Sequence, residues 1–168
     1  MKTKKLVLCA LYSALTFVAT MIIQIKLTPN GYVNLGDCMV ITGGIFLGPF
    51  YGAISAAIGS TLADLISGYI IYVPATLTIK AVMAISAAFL YRHLNKKSGF
   101  LSILICSLIT EFIMILGYFT YEISILGIGA ALAGMPGNLL QAIFAIICSI
   151  VLYKVLSKNK YIMSNLSF

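Results

Sequence analysis

Long apolar runs alternate along the chain with short breaks that are polar or rich in Gly and Pro. The first run, Leu6 to about Ile25, holds roughly 20 residues, enough for about 30 Å of helix. Further runs cover about 37–47, 49–66, 75–91, 100–121 and 138–156. Read as membrane helices, they predict an all-α integral membrane protein with six transmembrane helices in a single membrane domain, residues 1–168. The run 37–47 gives only roughly 16 Å of helix, so the second helix is short or begins before Asp37.

Gly48-Pro49 is either a kink in one helix or a turn between two, and the basic residues arbitrate. Lys2, Lys4 and Lys5, the stretch Arg92-His93-Leu94-Asn95-Lys96-Lys97, and Lys154, Lys158 and Lys160 fall on one side of the membrane only if the chain crosses six times. Cytoplasmic segments carry the excess of Lys and Arg. Both termini are therefore expected in the cytoplasm, with Gly48-Pro49 as a tight cytoplasmic turn and Pro49 in the first turn of helix three.

Composition agrees with a membrane protein and removes other classes. The chain is 61% hydrophobic and 9% charged, whereas a soluble domain carries about 25% charged residues. No cleavable signal is expected, because the first apolar run is long enough to span and is followed by further spans. The net charge of +7 comes from basic residues clustered at the ends of the runs; it fits topology and anionic lipid headgroups, not nucleic acid. Cys9, Cys38, Cys106 and Cys148 lack metal-ligand spacing and read as small reduced residues, with no metal site.

The stretch Gly31 to Pro74 organises the rest. Gly44, Gly48, Gly52, Ala56 and Ser60 recur every fourth position, the pattern by which membrane helices approach closely. Asp64 continues the spacing, and a carboxylate in an apolar span belongs against protein or a water-filled cavity. Lys26–Gly36 is polar and turn-rich at Asn30-Gly31 and Asn34–Gly36; it is expected outside and is long enough to act as a lid. Asp37 either caps the next helix or contacts a ligand. Ser67–Pro74 forms a second external connection, where Tyr69 and Tyr72 suit an interfacial belt.

Thr76 and Lys80 share a helix face. Lys80 either snorkels outward or pairs with Asp64 or a ligand anion. Glu111, Tyr118 and Glu122 fall close to one face of helix five. Ile123–Gly137 is apolar and Gly-rich and is expected to be an external connection, after which Asn138 and Gln141 open helix six. Ala10 and Ala14, four apart near the cytoplasmic end of helix one, open a face for another helix, inside this protein or in a partner.

The interior polar residues are Asn34, Asp37, Asp64, Thr76, Lys80, Glu111, Tyr118, Glu122, Asn138 and Gln141, with Tyr72 beside them. Nearly all fall in the outer half. A small bundle with its polarity gathered at one end reads as a receptor for a small polar aromatic ligand. No polar chain continues inward as a permeation path. There is no HExxH, no Gly-x-Ser-x-Gly and no phosphate loop, so no enzymatic activity is expected.

These features resemble the substrate-binding membrane subunit (S component) of energy-coupling factor (ECF) vitamin transporters. The resemblance is carried by Ala10-x-x-x-Ala14, Gly31-Tyr-Val-Asn-Leu-Gly-Asp37, Gly48-Pro-Phe-Tyr-Gly52, Gly59-Ser-Thr-Leu-Ala-Asp64 and Ser67-Gly-Tyr-x-x-Tyr-x-Pro74, and it covers essentially the whole chain. It implies a six-helix bundle with the ligand near the outer face under the first external loop. It also implies that the Ala10/Ala14 face docks on a transmembrane coupling protein driven by two cytoplasmic ATPases. ATP would be hydrolysed by those partners, with no cofactor in this chain, and uptake would proceed by toppling of the loaded subunit. The short, Tyr-rich sequence looks most like members assigned to hydroxymethylpyrimidine- or pyridoxine-type compounds, with riboflavin as the alternative.

Two other classes fit parts of the pattern. A small ion-coupled secondary transporter would use Asp64 and Glu111 as a proton relay and would be expected to contain inverted repeats. A structural membrane subunit would use the small-residue stripes for packing alone and bind no small molecule.

Overall fold

A computed structural model describes residues 2–28, 31–94 and 99–159. The chain forms α1 (Lys2–Ile22), β1 (Ile25–Thr28), β2 (Gly31–Val33), α2 (Gly36–Ile66), a single 3₁₀ turn (Ile70–Tyr72), α3 (Val73–Leu94), α4 (Gly99–Leu126) and α5 (Ile128–Ser157). Five of these helices are long and apolar enough to cross a membrane.

The centre of the bundle is α2, whose most apolar stretch is 72% buried, against 22% for α1 and 28% for α5. It is not one straight rod. Gly48 sits at φ 81°, ψ 178°, a conformation that a residue with a side chain rarely adopts. Pro49 follows, and its ring disfavours helical geometry at the residue before it. A Cβ added at Gly52 would lie 2.7 Å from Gly44 Cα and 2.9 Å from the Gly43 carbonyl oxygen. Eight residues along a straight helix span about 12 Å, so this proximity means that the chain turns back at Gly48 and lays one arm on the other. The every-fourth-residue stripe is therefore not one continuous face. Gly44 and Gly52 meet across the reversal, Gly44 also packs on the Ala84 carbonyl of α3, and Gly59 packs on Ser13 and Thr16 of α1.

The polar segment after α1 is an antiparallel hairpin, with Ile25 opposite Val33 and Thr28 opposite Gly31. The turn expected at Asn30-Gly31 falls partly on Asn30, outside the described residues. The far end of α2 closes on glycine. Gly68 has φ 83°, its N–H donates to the Leu65 carbonyl and the Tyr69 N–H to the Asp64 carbonyl. This paired αL termination brings Tyr69 back beside the last turn of the helix.

The segment Ile123–Gly137, expected as an external connection, is helical apart from one break. Helix α4 runs on to Leu126, Gly127 turns at φ 85°, and α5 begins at Ile128. In hydrocarbon, backbone amides have no water to bond and are satisfied within the helix, so even a Gly-rich apolar segment containing Pro136 stays helical.

Two apolar clusters fill the bundle. One, with Val40, Ala56, Ile79, Met83 and Met114, joins α2, α3, α4 and α5. The other, with Ile45, Phe46, Ala87, Ile103 and Tyr153, lies at the end where the basic residues gather. There the Tyr91 and Tyr153 hydroxyls are bonded at 2.5 Å and the Lys154 ammonium lies 5.1 Å from the Phe100 ring centroid. Arg92 and His93, expected in a loop, form the last turn of α3. Lys96, Lys97 and Lys160 lie outside the described residues.

Candidate ligand-binding site

At the opposite end of the bundle, the hairpin, the 3₁₀ turn and the ends of the helices surround a cavity with about 520 Å³ of empty space, counted out to its open mouth. Tyr32 and Asn34 come from the hairpin segment, Asp64 and Tyr69 from the end of α2, Tyr72 and Thr76 from the start of α3. Tyr118 and Glu122 of α4 and Gly134, Gly137, Asn138 and Gln141 of α5 complete the lining. Four tyrosines dominate it. Tyr32 and Tyr69 lie 4.9 Å apart by ring centroids, and Tyr72 is 6.4 Å from Tyr69 and 6.3 Å from Tyr118. These separations fall in the range of favourable tilted and edge-to-face pairs.

Asp64 is fully engaged on the cavity wall. The Tyr32 hydroxyl donates to Oδ1 at 2.7 Å and the Thr76 hydroxyl donates to Oδ2. Thr76 is in turn 2.9 Å from the Tyr118 hydroxyl. Burial, reinforced by the Asp64 carboxylate, raises the Tyr32 phenol above its ordinary range, which keeps it a donor. Across the cavity, Glu122 accepts one hydrogen bond, from the Tyr72 hydroxyl at 3.1 Å.

Behind the wall lies a second polar layer. The Asn34 backbone N–H and its amide both donate to Gln141 Oε1, at 3.2 and 3.1 Å. Gln141 Nε2 donates to Asp37 Oδ2 at 2.7 Å, and Lys80 is ion-paired with the other Asp37 oxygen. The Lys80 ammonium also lies 5.3 Å from the Tyr118 ring centroid. Hairpin, α2, α3, α4 and α5 are thus tied beneath the cavity.

A model of the ECF-type riboflavin transporter S component family matches residues 1–158. The chain belongs to that family. It is also 30% identical, over 143 residues, to an uncharacterized protein of Pyrococcus woesei, across 84% of this chain and 94% of that protein. Its fold is similar to that in the solved structure described as "Structure and mechanism of the S component of a bacterial ECF transporter". The TM-score is 0.66 at 19% identity, over 94% of this chain and 98% of the other. The chain is thus an S component of an ECF vitamin transporter: a membrane-embedded substrate-binding subunit, not an enzyme, that works with an ECF module.

Within this S component, eight of the residues singled out from the sequence line the cavity: Asn34, Asp64, Tyr72, Thr76, Tyr118, Glu122, Asn138 and Gln141. Asp37, Lys80 and Glu111 do not. The N-cap position of α2 is Leu35, and the Asn34 side-chain oxygen Oδ1, not Asp37, accepts from the Gly36 N–H at 2.8 Å. Lys80 pairs with Asp37, neither snorkelling nor reaching Asp64, because the Asp64 oxygens are already taken by Tyr32 and Thr76. Glu111 is 1% exposed, and neither of its oxygens has a hydrogen-bond partner among the described residues.

Tyr69 and Tyr72 turn inward onto the cavity in place of forming an outer belt, Tyr72 being 8% exposed. Sequence reasoning passed over Tyr32, Tyr69, Gly134 and Gly137 as site residues. Tyr32 lay within a quoted motif, and the two glycines fell in the segment read as a connection. Ala10 and Ala14 are exposed on α1, on the face carrying Leu6, Val7, Leu11 and Leu15. All four cysteines are free thiols.

Proposed function

We propose that this S component captures an unphosphorylated heteroaromatic vitamin or vitamin precursor, hydroxymethylpyrimidine- or pyridoxine-like. The observation that carries this reading is the composition of the cavity wall: four tyrosines, the carboxyl groups of Asp64 and Glu122, three side-chain amides and, among the described residues, no Lys or Arg. Tyrosine rings supply stacking surface for an aromatic ring. A phosphate would meet two carboxyl groups, and Lys80 behind the wall is already paired with Asp37, where anion sites use an available Arg, Lys or helix N-terminus. Riboflavin is the second reading, favoured by the name of the family whose model matches.

Binding titrations with matched pairs test the proposal. The unphosphorylated pyrimidine, pyridoxine or riboflavin should bind at least about tenfold more tightly than its phosphate ester, a difference of about 1.4 kcal/mol. A phosphate ester that binds as well as the free compound would refute it.

The proposal includes a topology. Six crossings, with both termini and the Gly48 reversal in the cytoplasm, leave the cavity facing outside and agree with the basic residues at the end away from it. The proposed partners are a transmembrane coupling protein and two cytoplasmic ATPases, which would hydrolyse the ATP. The exposed Ala10/Ala14 face would meet the coupling protein, where small residues allow close helix contact. Against a proton relay, Asp64 and Glu111 are not joined by hydrogen bonds among the described residues.

A further inference from the structure

We infer that Glu122 selects the ligand by accepting an N–H from an amino-substituted heteroaromatic ring on Oε2. The inference rests on the receptor reading above and adds which chemical group is read, and by which atom.

The two carboxyl groups of the wall differ in what remains to be bonded. Both oxygens of Asp64 already accept hydroxyl donors. Glu122 lines the cavity and is only 4% exposed, yet Oε1 alone is engaged, by Tyr72, and Oε2 has no hydrogen-bond partner among the described residues. A buried acceptor without a partner is costly, and more so when charged. A ligand donor at Oε2 removes that cost, so binding is tied to having one.

The position of this oxygen is built into α5. A Cβ at Gly134 would lie 2.8 Å from Oε2 and 3.2 Å from Oε1, so any larger residue there displaces the carboxyl group. With Oε1 held by Tyr72, one acceptor is presented, which suits a single exocyclic amine better than a two-pronged group such as guanidinium. Tyr69, Tyr72 and Tyr118 bring ring faces to the same cavity, and electron-poor or protonated heterocycles gain from such faces.

The test compares 4-amino-5-hydroxymethyl-2-methylpyrimidine with its 4-oxo analogue, by titration of the purified full chain, its Glu122→Gln variant and its Gly134→Ala variant. Wild type should prefer the amine at least tenfold. Glu122→Gln keeps an oxygen acceptor for Tyr72 and should bring the ratio towards one, its folding reported by a cooperative thermal unfolding transition like that of wild type. Gly134→Ala should weaken the amine selectively. An unchanged ratio in Glu122→Gln, or wild type binding both compounds equally, overturns the inference and leaves the receptor reading standing. Wild type that binds riboflavin or pyridoxine but neither pyrimidine does the same. Wild type that binds no vitamin at all overturns the receptor reading and this inference with it.

Discussion

Lys80 of α3 is ion-paired with Asp37 of α2 inside the bundle, at 3% and 0% exposure. Gln141 bonds the second Asp37 oxygen and passes the connection to Asn34 at the cavity. The pair supports the site from behind and does not form its surface. Removing one partner of such a pair leaves a buried charge uncompensated, at a cost of about 3–5 kcal/mol. Lys80→Met should therefore lower thermal stability in detergent sharply, and Lys80→Met with Asp37→Asn should recover part of the loss. A double variant as unstable as the sum of the two singles would show that the groups do not act as a pair.

Asp64 holds the hairpin through Tyr32 and the start of α3 through Thr76. Tyr32→Phe and Thr76→Val each delete one charge-assisted hydrogen bond, worth about 1.5–3 kcal/mol. Each should weaken ligand binding about tenfold or more, and Asp64→Asn should also weaken it. Unchanged affinity in all three variants would remove Asp64 from the site.

The Tyr32 phenol also sets a pH expectation. Burial first, and the Asp64 carboxylate second, raise its folded value above the unfolded one near 10. A raised value means that the contribution is fully present below the unfolded value and is lost only as pH rises through the folded one. The effect of Tyr32→Phe on affinity should therefore be the same at pH 7 and pH 9. An effect that disappears by pH 9 would show that the phenol ionises early.

Gly52 is needed because its backbone lies against Gly44. Gly52→Ala places a methyl group 2.7 Å from the Gly44 Cα and should cost about 1–3 kcal/mol, as overpacking does. Gly129, with nothing within 4 Å of an added Cβ, is the control, and Gly129→Ala should change the melting temperature little. Equal effects would contradict the reversal at Gly48.

Ala10→Leu and Ala14→Leu enlarge an exposed face of α1 far from the cavity. Each should abolish uptake in cells that contain the ECF module while leaving ligand affinity unchanged. Loss of both activities together would place these alanines in internal packing.

The helices and most cavity residues were legible because hydropathy marks the spans and a polar residue in an apolar span stands out. Asp64, Thr76, Tyr118 and Gln141 were found in this way. The pairings were not legible, because they depend on which faces meet. Lys80 was read as snorkelling or as pairing with Asp64 or a ligand anion, yet it pairs with Asp37, because Tyr32 and Thr76 occupy Asp64. Tyr32 was missed because a tyrosine in a polar loop has no pattern to mark it, and Gly134 because its role lies in the space it leaves for Glu122. The start of α5 was missed because Gly and Pro signal breaks in water, whereas in a membrane the backbone keeps its own hydrogen bonds.

The central claim is that the tyrosine-lined cavity holds an unphosphorylated heteroaromatic vitamin. Its most direct test is mass spectrometry of what co-purifies with the detergent-solubilised chain, followed by titration of that compound into stripped protein. The account predicts a stoichiometric pyrimidine, pyridine or flavin without phosphate that rebinds one to one. A chain that carries nothing and responds to no member of a vitamin panel would contradict it.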